Sequence, residues 1–318
     1  MFDAISFAGG GNRCYWQGGF MEALEARVPL KPERVVGVSG GAFAAAYTLA
    51  GVGPQVRARV IETCDAGERN IDWQGWRRGE ALFPVGPLYR QLLDVSLDEA
   101  ALARIRARSD LVIMLARPPA LLPQGLAIAL GIGLYQLEKT WLKPVHPKGG
   151  RLLGFTPLSL ALRDVPNRAE WLEAMRITAA VPPFLPPGFV RACCDKVDTG
   201  LSQKSMRKEE DESKIRFHVN ASCSKGAAAL DGGLYDNVPV EPLRAIEAAG
   251  GRSLVLLTRR YPRLPEVKGR VYVQPSKTPP VTQFDITNGA GIREAYETGL
   301  MDGEAFARSF SRKTPPPG

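Results

Sequence analysis

Twice in its first fifty residues the chain runs a short apolar stretch into glycines and then into a helix-length segment of small or apolar residues. Residues Ala4 to Ala8 are apolar and lead into Gly9, Gly10 and Gly11, after which Tyr15 to Arg27 carries Phe20, Ala23 and Leu24 at helical spacing. Val35 to Val38 stops at Ser39, and Gly40 to Ala50 is again small, apolar and long enough for a helix. Asp110 to Ala116 and Arg252 to Thr258 are further strand candidates, close to helix-like stretches at Leu97 to Arg108 and Val240 to Ala249. Strands alternating with helices predict a layered α/β fold around a mainly parallel sheet. At 318 residues the chain is long enough to bury a sizeable core. Its 33 glycines and 26 prolines follow no period, which excludes a collagen-like chain.

The second strand-to-helix junction reads Gly37-Val38-Ser39-Gly40-Gly41, a G-x-S-x-G in the context where that pattern carries chemistry. A serine on a sharp turn needs small residues two positions away on either side, because larger ones collide with the backbone. The following helix aims its positive end at the serine and favours the negative charge that develops when Ser39 attacks a carbonyl. A glycine-rich turn that merely opens a helix would carry the same five residues.

The first junction, Gly9-Gly10-Gly11-Asn12-Arg13, leaves successive backbone N–H groups exposed, and such a nest holds a phosphate or an oxyanion. A dinucleotide fingerprint starting at Gly9 fails, since its sixth position is Cys14 and no acidic residue ends the second strand. An oxyanion hole one strand away from Ser39 fits better. Arg13 either adds positive charge to that loop or forms a surface salt bridge.

A nucleophilic serine needs a base, and the chain has two histidines, His146 and His218. Both precede the best acidic candidate, so the order serine, acid, histidine is not available, and both read as loop or surface residues. Asp231 is the alternative. An apolar approach delivers it onto Gly232 and Gly233, whose lack of side chains lets the carboxylate reach a hydroxyl directly. A carboxylate base works when burial raises its pKa, although an Asp-Gly pair is also an ordinary turn.

Together these segments resemble the patatin-like phospholipase family: G-G-G-x-R at 9–13, G-x-S-x-G at 37–41, and D-G-G followed by L-Y-D-N-V-P at 231–239. Residues 174–184, AMRITAAVPPF, are similar to the family's small-residue helix and proline-rich turn. The resemblance implies a three-layer α/β/α fold, with a catalytic domain over residues 1–245 that holds an insertion at about 191–225. Residues 246–318 would be a C-terminal extension on the same domain, with a disordered tail from about 311. It further implies a Ser39–Asp231 dyad, an oxyanion loop of Gly9, Gly10, Gly11 and Arg13, and an elbow bounded by Gly37 and Gly41. The implied reaction is hydrolysis of a lipid acyl ester through an acyl-enzyme, with no metal and no organic cofactor. An esterase, thioesterase or acyltransferase on soluble acyl donors is the alternative, as is a silent lipid-binding protein of the same fold. Cys14 departs from the pattern by replacing the glycine that usually follows the arginine.

The net charge of +8 favours anionic partners, and the expected ones are a phospholipid or other acyl ester and a transient membrane surface. Nucleic acid is not expected, since no zinc spacing, aromatic-glycine motif or concentrated basic run is present. Five cysteines without a C-x-x-C pair, and an opening without a basic and then apolar leader, predict a cytoplasmic chain with reduced thiols. Residues 119–137, nearly free of charge but broken by prolines and glycines, predict a buried helix or a membrane-touching cap rather than a span.

Overall fold

A computed structural model describes residues 1–67, 69–182, 184–185, 188–190 and 227–313. The two apolar runs that precede glycine form β1 (Ala4–Phe7) and β2 (Arg34–Val38). The further strands are β3 (Asp110–Arg117), β4 (Thr156–Ala161), β5 (Gly188–Val190), β6 (Ala227–Asp231), β7 (Ser253–Leu256) and β8 (Arg270–Val273). Their order across the sheet is β5-β6-β3-β2-β1-β7-β8, with β4 also paired to β3. The pairings from β3 through β2, β1 and β7 to β8 are parallel, and those of β4 and β6 with β3 and of β5 with β6 are antiparallel.

The helices are α1 (Tyr15–Glu25), α2 (Gly40–Ala50), α3 (Gly53–Asp65), α4 (Trp73–Arg77), α5 (Val85–Ser96), α6 (Glu99–Arg108), α7 (Gln124–Leu137), α8 (Gly149–Leu152), α9 (Arg168–Thr178), α10 (Arg244–Ala248) and α11 (Gly289–Lys313). Local chemistry sets several boundaries. Asp98 caps α6 by accepting from the Ala101 amide, Asn167 caps α9 by accepting from Glu170, and α2 ends where Gly51 turns left-handed at φ 70°.

Alternation along the strands divides the core between the faces of the sheet. Ile5, Phe7, Val35, Leu111, Ile113 and Leu115 share one buried cluster with Phe20, Phe43 and Leu102 from the helices. Ala4, Val36, Val38, Val112 and Met114 share the other with Val238, Leu243 and Tyr261. The chain is therefore a three-layer α/β/α molecule with a mixed, mostly parallel sheet, as the alternation of elements predicts.

The C-terminal segment supplies β7 and β8 to the sheet and lays α11 along α1. Phe2 stacks on Phe306 and Phe310, with ring centroids 6.2 and 5.2 Å away. α11 continues to Lys313, past the position where disorder is expected, and residues 314–318 lie outside the described residues. The expected insertion, with Cys193, Cys194, Cys223 and His218, lies outside them too.

The charge-poor run at 119–137 is only partly a buried helix. In α7 the residues Ala127, Ile128 and Gly131 are buried, the first two clustering with Phe155, Leu230 and Leu234, while Leu126, Leu130 and Leu137 remain exposed. No helix among the described residues is long and apolar enough to cross a membrane.

Candidate active site

Strand register brings the serine and the aspartate together from positions 192 residues apart in sequence. Val38 pairs with Met114 on one side of β3, so Ser39, the next residue, stands level with Leu115, and Leu115 pairs with Asp231 on the other side. The Ser39 side chain lies near enough to the Asp231 carboxylate to favour its charged form, and both residues are buried, at 6% and 5% exposure. Burial raises the carboxyl to about 6, against the opposing pull of the Gly233 amide, which donates to Oδ1 at 2.7 Å, and of Ser39 itself.

Ser39 has φ 53° and ψ −135°, backbone strain that a non-glycine residue holds only when its surroundings enforce it. Two hydrogen bonds do so: the Ser39 amide donates to Thr178 Oγ1 at 3.1 Å, and that hydroxyl donates to the Met114 carbonyl at 2.6 Å. A Cβ at Gly40 would sit 2.8 Å from the Gly11 amide nitrogen, and one at Gly41 would strike the carbonyls of Phe7 and Ala8. Those contacts are why the elbow admits no larger residue. At Gly37, the other boundary of the elbow, a Cβ would meet the Ala42 Cα at 2.5 Å.

The first glycine loop passes directly against the elbow, where a Cβ at Gly9 would lie 3.2 Å from the Ser39 Cβ. Gly9 itself is committed to holding the loop. Its amide donates to the Asn237 carbonyl at 2.9 Å, and its carbonyl accepts from Asn237 Nδ2 at 2.9 Å and Thr258 Oγ1 at 2.7 Å. Gly9 thus positions the loop, and the amides of Gly10 and Gly11 are the ones with no partner among the described residues. Gly11 takes φ 55°, and the Asn12 amide next to it donates to the Gln283 carbonyl at 2.9 Å. The amide of Gly40, at the first turn of α2, lies beside this loop.

Arg13 forms no ion pair among the described residues, so the surface salt bridge left open by the sequence is not made. Its Nε approaches the Gly10 carbonyl at 3.4 Å, and burial pulls its pKa down. Cys14, in place of the usual glycine, is accommodated by pointing its thiol inward to the Ala8 carbonyl at 3.7 Å. Burial pushes that thiol far above its ordinary range, so it stays protonated.

A family model described as Patatin-like phospholipase matches residues 5–244. The chain belongs to the patatin-like phospholipase family. That family is one of lipid acyl hydrolases. No curated protein matches this patatin-like chain. Among solved structures, VipD from Legionella pneumophila is similar at 12% identity and a TM-score of 0.44, over 97% of this chain and 67% of that one. Likeness at that level adds nothing to the family assignment.

Within this patatin-like site His146, the histidine among the described residues, is engaged elsewhere. His146 pairs through Nδ1 with Asp236 and through Nε2 with the Tyr272 hydroxyl, at 2.9 and 3.0 Å. Arg151 also donates to Asp236, at 2.9 Å. The pair clasps the segment after α7 to the loop that follows Asp231. Sequence reasoning missed Thr178, Asn237, Thr258 and Gln283 as supports of the site. Only Thr178 and Asn237 stand inside segments that carry the family pattern.

Proposed function

We propose that the chain hydrolyses lipid acyl esters with Ser39 as nucleophile and Asp231 as general base. The observation that carries this reading is the contact of a strained, buried serine with a buried carboxylate whose pKa is raised to about 6. In the acylation step Ser39 Oγ bonds to the ester carbon while its proton passes to Asp231, and the carbonyl π electrons collect on the oxygen. The amides of Gly10, Gly11 and Gly40, with the charge of Arg13 nearby, stabilise that oxyanion. Collapse expels the alcohol, which takes the proton from Asp231. Water then gives a proton to the same carboxylate as it attacks the acyl-enzyme, and the proton returns to Ser39 as the fatty acid leaves. The steps draw only on the chain's own residues.

The substrate would be met at a membrane surface by a chain resident in the cytoplasm. Supporting this, the segment that follows the catalytic strand layer and is clasped to the Asp231 loop exposes Leu121, Trp141, Leu142 and Leu152 at 96, 79, 73 and 84%. Lys139, Lys143, Lys148 and Arg151 lie along it, the composition of an interfacial element on anionic lipid.

A fluorophosphonate probe is expected to label the wild-type chain at Ser39. Ser39→Ala should abolish both labelling and hydrolysis of short-chain esters and phospholipid vesicles. Full activity in that variant would reject the assignment, and a wild type inert to every ester would favour the silent lipid-binding protein.

A further inference from the structure

One short stretch of chain holds the backbone of both members of the Ser39–Asp231 pair. α9 ends at Thr178, and the chain continues through Ala179 to Ala180, all three buried. Thr178 Oγ1 accepts from the Ser39 amide at 3.1 Å, and the Ala180 carbonyl, two residues on, accepts from the Asp231 amide at 3.3 Å. Nucleophile and base are thus tied to a single segment, in addition to the strand register that brings them level.

The Thr178 hydroxyl is used in full. A threonine within a helix can return its proton to a carbonyl of its own preceding turn, but this one donates at 2.6 Å to the carbonyl of Met114, on β3. Met114 precedes Leu115, the residue that pairs with Asp231. Its carbonyl also faces the aspartate loop, since a Cβ at Gly232 would sit 2.4 Å from that oxygen. One buried hydroxyl therefore joins the Ser39 turn to the strand that carries Asp231. Without it, the Ser39 amide and the Met114 carbonyl would both be left unpaired in the interior, and the turn at φ 53° would be freed to relax. Relaxation would carry the serine hydroxyl away from its partner.

We propose that Thr178 is a positioning residue for the reaction: in the clamp it forms with the Ala180 carbonyl, it sets the spacing between the Ser39 hydroxyl and the Asp231 carboxylate. The inference rests on the lipid acyl hydrolase reading and adds to it a group that touches neither substrate nor reacting atoms.

Thr178→Val keeps the shape of the side chain and removes the hydroxyl, while Thr178→Ser keeps the hydroxyl and removes the methyl. On a soluble ester, with rates normalised to the folded fraction by circular dichroism, Thr178→Val should lower kcat by on the order of a hundredfold and change KM by no more than about twofold. Thr178→Ser should recover most of that loss. The acidic limb of kcat/KM responds separately. Ser39 is one of the groups that hold the Asp231 pKa down against burial, so a serine drawn away should move that limb to higher pH in Thr178→Val and leave it in place in Thr178→Ser. Undiminished turnover in Thr178→Val, a Thr178→Ser as slow as Thr178→Val, or a loss with the acidic limb unmoved overturns the clamp while leaving the hydrolase reading intact. If Thr178→Val does not fold, Thr178→Ala takes its place under the same criteria. If the wild type cleaves no ester, the hydrolase reading fails and the clamp is judged by amide hydrogen exchange in the intact chain. Faster exchange at both Ser39 and Asp231 in the hydroxyl-less variant sustains it, and any other pattern overturns it.

Discussion

Burial acts on Asp231 in two opposed ways, one useful to chemistry and one costly to the fold. With its carboxyl raised to about 6, the residue is a stronger base than an exposed aspartate while remaining ionised at neutral pH. Hydrolysis should therefore rise with pH through an apparent pKa near about 6 in kcat/KM, measured on a soluble ester. The folded-state pKa lies above the unfolded value of 3.8, so between the two the folded chain holds a proton that the unfolded chain has released. Stability accordingly falls as pH rises across that window, by a total of about 3 kcal/mol, and stays lower above it. Asp231→Asn removes the charge. The variant should lose nearly all turnover yet melt higher than wild type at pH 8, with the gap closing below pH 4; a variant that melts lower at pH 8 would contradict the burial argument. Ser39 and Asp231 were legible because a strained elbow and a glycine-flanked carboxylate demand particular residue types at adjacent positions. Thr178, Asn237, Thr258 and Gln283 were not, since they are ordinary residues that meet the elbow and the glycine loop only after distant segments come together.

Among the elements, the legible ones are those whose local pattern is complete in itself. β1, β2, β3 and β7 are made mostly of apolar residues, and α2 forms over the residues that its small, apolar composition predicts. β5 has three residues, too few for a pattern to register, and β8, Arg-Val-Tyr-Val and only partly buried along its length, is not the continuous apolar run that marks a buried strand. α7 shows why the remaining ambiguity could not be resolved from sequence. A charge-free helix looks the same whether buried or exposed, and here it is half of each, with one face on Phe155 and Leu234 and leucines to the outside. The five-residue π-helical turn after it, Glu138–Leu142, closes at Lys143 in a left-handed conformation and leaves Trp141 and Leu142 projecting. If this segment seats on lipid, Trp141→Glu with Leu142→Glu should lower hydrolysis of anionic phospholipid vesicles by on the order of tenfold or more. Soluble ester turnover in the same variant should fall far less, because these side chains point away from the core that carries Asp231. Equal losses on both substrates would mean that the segment only supports the fold.

At the scale of the molecule, the family match ends at 244 but the sheet and its packed helices do not. β7 is hydrogen-bonded along β1, the strand that launches the glycine loop, and Gln17 ties the two together by donating to the Ala8 and Leu256 carbonyls at 3.0 and 2.9 Å. Beyond β7, Thr258 holds Gly9 and the Gln283 carbonyl holds Asn12, so the loop takes its shape from residues outside the matched region. α11 covers α1, with Asp302 accepting from the Trp16 indole at 2.8 Å and Phe306 packing on Phe20 at 5.5 Å. A chain cut at 245 would bare β1 as a raw edge and expose Ile5, Phe7, Trp16 and Phe20, all of which are buried in the whole molecule. Burial of each such side chain contributes about 1.5–3 kcal/mol, so losing several removes most of the roughly 5–15 kcal/mol that holds a typical domain together. The truncated chain is expected to be insoluble or to lack a cooperative thermal transition by circular dichroism, and to escape fluorophosphonate labelling. A soluble fragment 1–245 that melts cooperatively and labels at Ser39 would show instead that the catalytic unit is self-sufficient and that β7, β8 and α11 are additions to it.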